Sequence, residues 1–130
     1  MIVLDASVLI ELLLATRRGR QIADRIAPGD ISLHAPHLVD LEVAQTVRRC
    51  VFDDTITTER GRQALESLRE LDLERHSHEL YLPRIWELRH NLTAYDAAYV
   101  SLAEILGATL LTGDIRLANA PGIRVRIEMF

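Results

Sequence analysis

The chain has 130 residues, 48% hydrophobic and 26% charged, which suits one globular domain and excludes a disordered, collagen-like or disulfide-built protein. Its net charge of -4 comes from 19 acids against 15 bases; every base is arginine, so chemistry that needs a lysine amine, such as a P-loop or a Schiff base, is excluded. The single cysteine, Cys50, fits a reducing, cytoplasmic compartment, and no apolar run approaches the ~20 residues that span a bilayer, so no membrane partner is expected.

Ile2-Val3-Leu4 reads as a strand that stops at Asp5, followed by a helix from Ser7 to Leu14 with Ser7 as its cap. A second helix spans 18–26 and ends at Pro28-Gly29, and a second strand covers Ile31–His34. Apolar stripes at helical spacing over 37–52 and 58–71 predict a helical hairpin. A third strand is placed at Leu71–Glu74, and a helix at Glu79–Arg89 with Pro83 in its first turn. Thr93-x-x-Asp96 has the form of a capping box and opens a helix that runs to Leu106 and is stopped by Gly107. Thr109–Thr112 is a fourth strand, Gly113-Asp114 turns into a short helix at 115–118, and Ile123–Ile127 closes the order as a fifth strand. Strands alternating with helices, with little hairpin signal, predict a single α/β domain over residues 1–130 with a parallel sheet covered on both faces.

Asp5 and Asp114 stand at or just past the carboxyl ends of strands, where open parallel sheets bind ligands. Asp96 and Glu42 interrupt apolar helix segments. Each acid has an ordinary reading, as a cap, a turn acceptor or a solvated side chain. Four acids among apolar neighbours with few local arginines nonetheless call for a cationic partner, and an oxygen-only donor set favours a hard dication such as Mg²⁺. That chemistry suits phosphodiester hydrolysis, because a bound dication acidifies water and needs no protein nucleophile. Discounting those four carboxylates leaves the chain neutral, so its acidity does not oppose binding to RNA.

The segments Val3-Leu4-Asp5-Ala6-Ser7-Val8-Leu9-Ile10-Glu11, Pro36-His37-Leu38-Val39-Asp40-Leu41-Glu42-Val43, Leu92-Thr93-Ala94-Tyr95-Asp96-Ala97-Ala98-Tyr99-Val100 and Leu110-Leu111-Thr112-Gly113-Asp114, in this order and spacing, resemble PIN-domain ribonucleases of the VapC type, toxins of type II toxin-antitoxin pairs. The resemblance runs from the first strand to the last. It implies a PIN-like fold with a five-stranded parallel sheet, in which Asp5, Glu42, Asp96 and Asp114 form the catalytic acidic cluster and bind Mg²⁺, with Mn²⁺ as a substitute. It also implies cleavage of structured RNA such as transfer or ribosomal RNA, inhibition of translation and growth, silencing by a cognate VapB-like antitoxin, and a homodimer.

Ser7 and Thr112 lie two positions from Asp5 and Asp114, where a hydroxyl can hold a carboxylate, although a helix cap and a strand-end hydroxyl explain them equally well. Arg17, Arg18, Arg20, Arg48, Arg49, Arg89 and Arg116 are candidate phosphate contacts, with solvated helix faces as the simpler account of most. The five histidines lack zinc-type spacing with cysteine and are assigned structural or surface roles, while Trp86 and the tyrosines are assigned to core or dimer packing. A haloacid-dehalogenase phosphatase is rejected, because Ser7 stands where it needs a second acid and lysine is absent. The competing class is a non-catalytic module of the same fold, in which the acids bind metal or a partner without cutting.

Overall fold

A computed structural model describes all residues, Met1–Phe130. Continuous apolar runs are favoured in strands covered on both faces, and Val3, Leu4, Leu110 and Leu111 are fully buried in the two central strands, β1 (Ile2–Leu4) and β4 (Thr109–Thr112). The sheet has the order β3-β2-β1-β4-β5 and is parallel throughout, with β2 at Leu33–Pro36, β3 at Leu73–His76 and β5 at Ile127–Met129. The chain builds outward from β1 through β2 to β3, then returns to lay β4 on the other side of β1. The order therefore reverses between β1 and β4, and the carboxyl ends of those two strands face a crevice that no connection crosses.

Seven helices cover the sheet: α1 (Ala6–Leu13), α2 (Arg17–Ile26), α3 (Val39–Phe52), α4 (Thr58–Glu70), α5 (Leu82–Glu87), α6 (Ala94–Leu106) and α7 (Ile115–Ala118). The α1–α2 junction is tight, since a Cβ on Gly19 would meet the Glu11 carbonyl oxygen at 1.9 Å; only glycine fits there. The predicted hairpin of α3 and α4 forms, and Gly61 lets Val47 and Val51 approach within 3.1 and 3.0 Å of where a Cβ would lie. Gly107 adopts φ 60° and caps α6 as its sequence position predicts.

Several boundaries move. β2 and β3 each lie two residues further along than expected, and β5 begins at Ile127, where the sequence reading ended it. The apolar residues Ile123 and Val125 instead pack against the core from the loop before β5, so apolar content there reports burial and not strand pairing. The 79–89 segment divides into a 3-10 turn at Glu79–Tyr81 and α5, with Pro83 in the first turn as predicted. Ser7 is not the cap of α1: Asp5 holds the cap position, without a side-chain cap bond, and Ser7 lies inside the helix. No helix is long and apolar enough to cross a membrane.

Candidate active site

Each of the four sequence-predicted acids is placed by the start of a helix. Asp5 is the cap residue of α1, Glu42 lies in the first turn of α3, Asp96 in the first turn of α6, and Asp114 caps α7. Helix N-termini carry unpaired N–H groups and a partial positive charge, which eases the crowding of carboxylates that would otherwise repel. All four line one cleft of about 800 Å³ at the carboxyl end of the β1–β4 seam. Capping and convergence coexist here: Thr93 Oγ1 accepts the Asp96 N–H at 3.1 Å, and Asp114 Oδ1 accepts the Arg116 N–H at 2.8 Å, while both carboxylates remain on the cleft wall.

Asp5 is held most firmly. Its Oδ2 accepts hydrogen bonds from Ser7 Oγ at 2.7 Å and from Thr112 Oγ1 at 2.6 Å. Ser7 Oγ in turn accepts the Gly113 N–H and Thr112 Oγ1 accepts the Asp114 N–H, each at 3.0 Å. The two hydroxyls therefore lock the β1 and β4 ends together and orient the carboxylate, the role a ligand-supporting hydroxyl plays in metal sites.

The electrostatics separate the four acids. Burial pushes the Glu42 carboxyl up, the hydrogen bond from Tyr99 pulls it partly back, and the charges of Asp5 and Asp96 push it up again, for a net rise. Asp96 is likewise raised, first by burial and then by Asp5 and Asp114, against opposing pulls from Thr93 and Arg116. Burial also works upward on Asp114, but the backbone N–H groups of Arg116 and Leu117 and the Arg116 guanidinium outweigh it, and the net shift is down. Asp114 alone of the four has a cationic side chain within ion-pair range, Arg116 at 3.5 Å. A half-buried set of like charges, three of the four without a cationic partner in ion-pair range, fits a hard divalent cation, and the cleft is wide enough for its waters and for phosphate oxygens.

Tyr99, assigned from sequence only to packing, belongs to this site. It is buried on α6 one turn after Asp96, and its hydroxyl donates to Glu42 Oε2. The i, i+3 spacing from Asp96 was the available signal. Of the candidate arginines, Arg49 and Arg116 reach the cleft wall, whereas Arg48 stacks over Phe52 and Arg89 over Trp86. Tyr81 and Tyr99 are core residues, but Tyr95 is exposed on the cleft rim and Trp86 is 68% exposed, so neither of these packs the core.

Residues 2–123 match the PIN domain family model. The chain is 41% identical to Ribonuclease VapC1 of Mycobacterium tuberculosis over 131 aligned positions, covering 98% of this chain and 96% of that protein. Among solved structures it is similar to VapBC2 of Rickettsia felis bound to a DNA fragment from its promoter, with TM-score 0.71, 16% identity and coverage of 99% of this chain and 98% of that one. It is also similar to M. tuberculosis VapC20, described as a sarcin-ricin loop cleaving toxin, with TM-score 0.67, 18% identity and coverage of 95% and 99%. Fold, cleft geometry and sequence thus converge: the chain belongs to the PIN-domain family, in its VapC group.

Proposed function

We propose that this protein is a divalent-cation-dependent endoribonuclease that hydrolyses phosphodiester bonds in structured RNA, inhibiting translation and growth until a VapB-like antitoxin silences it. The convergence of Asp5, Glu42, Asp96 and Asp114 on one cleft, three of them without a cationic partner in ion-pair range, carries the proposal. The relative named a ribonuclease and the neighbour named a sarcin-ricin loop cleaving toxin support RNA as the substrate class. The VapBC2 neighbour supports an antitoxin partner; the homodimer is proposed on the resemblance to the VapC type alone.

In this reading Asp5 and Asp96 would hold Mg²⁺ or Mn²⁺, with Glu42 and Asp114 completing the set. A dication bound there supplies positive charge to the scissile phosphate and acidifies a water. Ser7 and Thr112 keep the Asp5 carboxylate fixed, and Tyr99 does the same for Glu42. Arg49 and Arg116 offer guanidinium forks to flanking phosphates, and the exposed Tyr95 ring offers a face for an unpaired base. Incubation of the purified protein with labelled transfer and ribosomal RNA tests the proposal: cleavage is expected with Mg²⁺ or Mn²⁺ and not with chelator, and not by Asp96→Asn. Binding of RNA without cutting under every metal condition would leave the non-catalytic module as the answer.

A further inference from the structure

One set of three metal-ligating side chains in this molecule brings its ligand atoms within 4.8 Å of one another, and it lies outside the acidic cleft: His34, Glu74 and His76. His34 sits on β2 in register with Glu74 on the edge strand β3, and His76 follows Glu74 by two, so all three project from one face of the sheet. His34 Nδ1 is 3.0 Å from His76 Nε2, Glu74 Oε2 is 3.5 Å from the first nitrogen, and the other carboxylate oxygen, Oε1, is 3.7 Å from the second. Tetrahedral Zn–N bonds of about 2.0–2.1 Å place neighbouring ligand atoms about 3.4 Å apart; the N···N separation of 3.0 Å and the nearest N···O approaches of 3.5 and 3.7 Å, one to each carboxylate oxygen, lie on either side of that value.

The surroundings are those of a supported ligand. The His34 side chain is 5% exposed, and its Nε2 lies 2.9 Å from Ser32 Oγ. With Ser32 accepting the Nε2 proton, the Nδ1 lone pair is turned toward His76 and Glu74, the arrangement by which an outer hydroxyl fixes the tautomer of a ligating imidazole. Glu74 is 65% exposed, so the cluster opens to solvent on one side and leaves a position for water. Two imidazoles and one carboxylate suit a borderline dication of the Zn²⁺ class and suit Mg²⁺ poorly.

We propose that His34, Glu74 and His76 form a second metal site, selective for Zn²⁺-class dications, that ties the edge strand β3 to β2 and is separate from the acidic cleft. The full chain, stripped of metal by chelator dialysis, is titrated with Zn²⁺ alone by calorimetry, and with Co²⁺ by visible absorption, beside Asp96→Asn, His76→Ala and Glu74→Gln. Zn²⁺ binding should persist in Asp96→Asn and weaken at least ~10-fold in His76→Ala and in Glu74→Gln, whose side chain is exposed and whose fold is not at risk. Bound Co²⁺ should show the intense visible bands of tetrahedral nitrogen ligation in wild type and lose them in His76→Ala. Zn²⁺ binding that is absent in wild type, that vanishes in Asp96→Asn, or that is unchanged in both cluster variants would overturn the proposal.

Discussion

Thr112 Oγ1 donates a 2.6 Å hydrogen bond to Asp5 Oδ2, and the same oxygen accepts the Asp114 N–H at 3.0 Å. One buried hydroxyl on β4 therefore orients a carboxylate at the end of β1 and anchors the loop that carries a second. Thr112→Val keeps the shape and removes both bonds. It should lower kcat/KM for RNA by ~10–100-fold, the usual effect of losing a support to a metal ligand, with a stability cost of about 1–3 kcal/mol from the unpaired buried groups. Cleavage kinetics beside a urea melt check this; an unchanged rate would reduce Thr112 to a strand-end hydroxyl.

Asp96→Asn should abolish cleavage while the protein stays folded, since it removes a charge and keeps nearly the same volume. Thr93 accepts a backbone N–H in that turn, so the α6 cap does not depend on the carboxylate. Expressed without an antitoxin, wild type should arrest bacterial growth and Asp96→Asn should not. Arrest by the variant at wild-type level would point to sequestration of a partner.

The succession of strands and helices along the chain and the positions of the four acids were legible because each rests on local chemistry, whereas the order of the strands within the sheet was not. Apolar runs ending in an acid mark β1 and β4, and Thr93-x-x-Asp96 and Gly113-Asp114 mark helix starts. Non-local pairing was not legible. Nothing near Ser7 says that its hydroxyl reaches back to Asp5 instead of capping α1, and nothing near Tyr99 says that its hydroxyl donates a hydrogen bond to Glu42, 57 residues away. The His34–Glu74–His76 cluster was missed for the same reason: its members are joined only by the β2–β3 register, and a search for histidine–cysteine spacing passes over it.

The Tyr99 bond to Glu42 has its own consequence. That bond lowers the carboxyl's pKa against the upward push of burial, so Tyr99→Phe should raise it further. A larger protonated fraction competes with metal, so the variant's cleavage should fall more at about pH 6 than at about pH 8, and excess Mg²⁺ should restore part of it. A pH–rate profile reads this directly as an alkaline shift of the acid limb. A uniform loss at every pH would assign Tyr99 to packing alone.

Stability without metal separates the acids by sign. Glu42 and Asp96 have folded pKa values above their ordinary 4.5 and 3.8, so each binds its proton more tightly folded than unfolded. Their contribution to stability is fully present below those ordinary values and is lost as pH rises through the raised ones. Asp114 is depressed and runs the other way: its contribution is present above 3.8 and lost as pH falls through its folded value. Crowding alone would lead one to expect relief from neutralising position 5 or 114, but the hydrogen bonds to both make them poor choices. In chelator at neutral pH, Glu42→Gln and Asp96→Asn should therefore melt higher than wild type, and the gap should close on acidification toward pH 4, while Asp114→Ala should melt lower by about 0.5–2 kcal/mol, the usual cost of a lost cap. Mg²⁺ or Mn²⁺ should reverse the ranking, since binding at 100 times Kd stabilises wild type by about 2.7 kcal/mol and the two neutralised variants by much less. Thermal melts across pH and metal concentration measure all of these together. Lower melting of Asp96→Asn and Glu42→Gln in chelator, with no metal-dependent rise in wild type, would mean that the carboxylates stand in the cleft as separate structural groups.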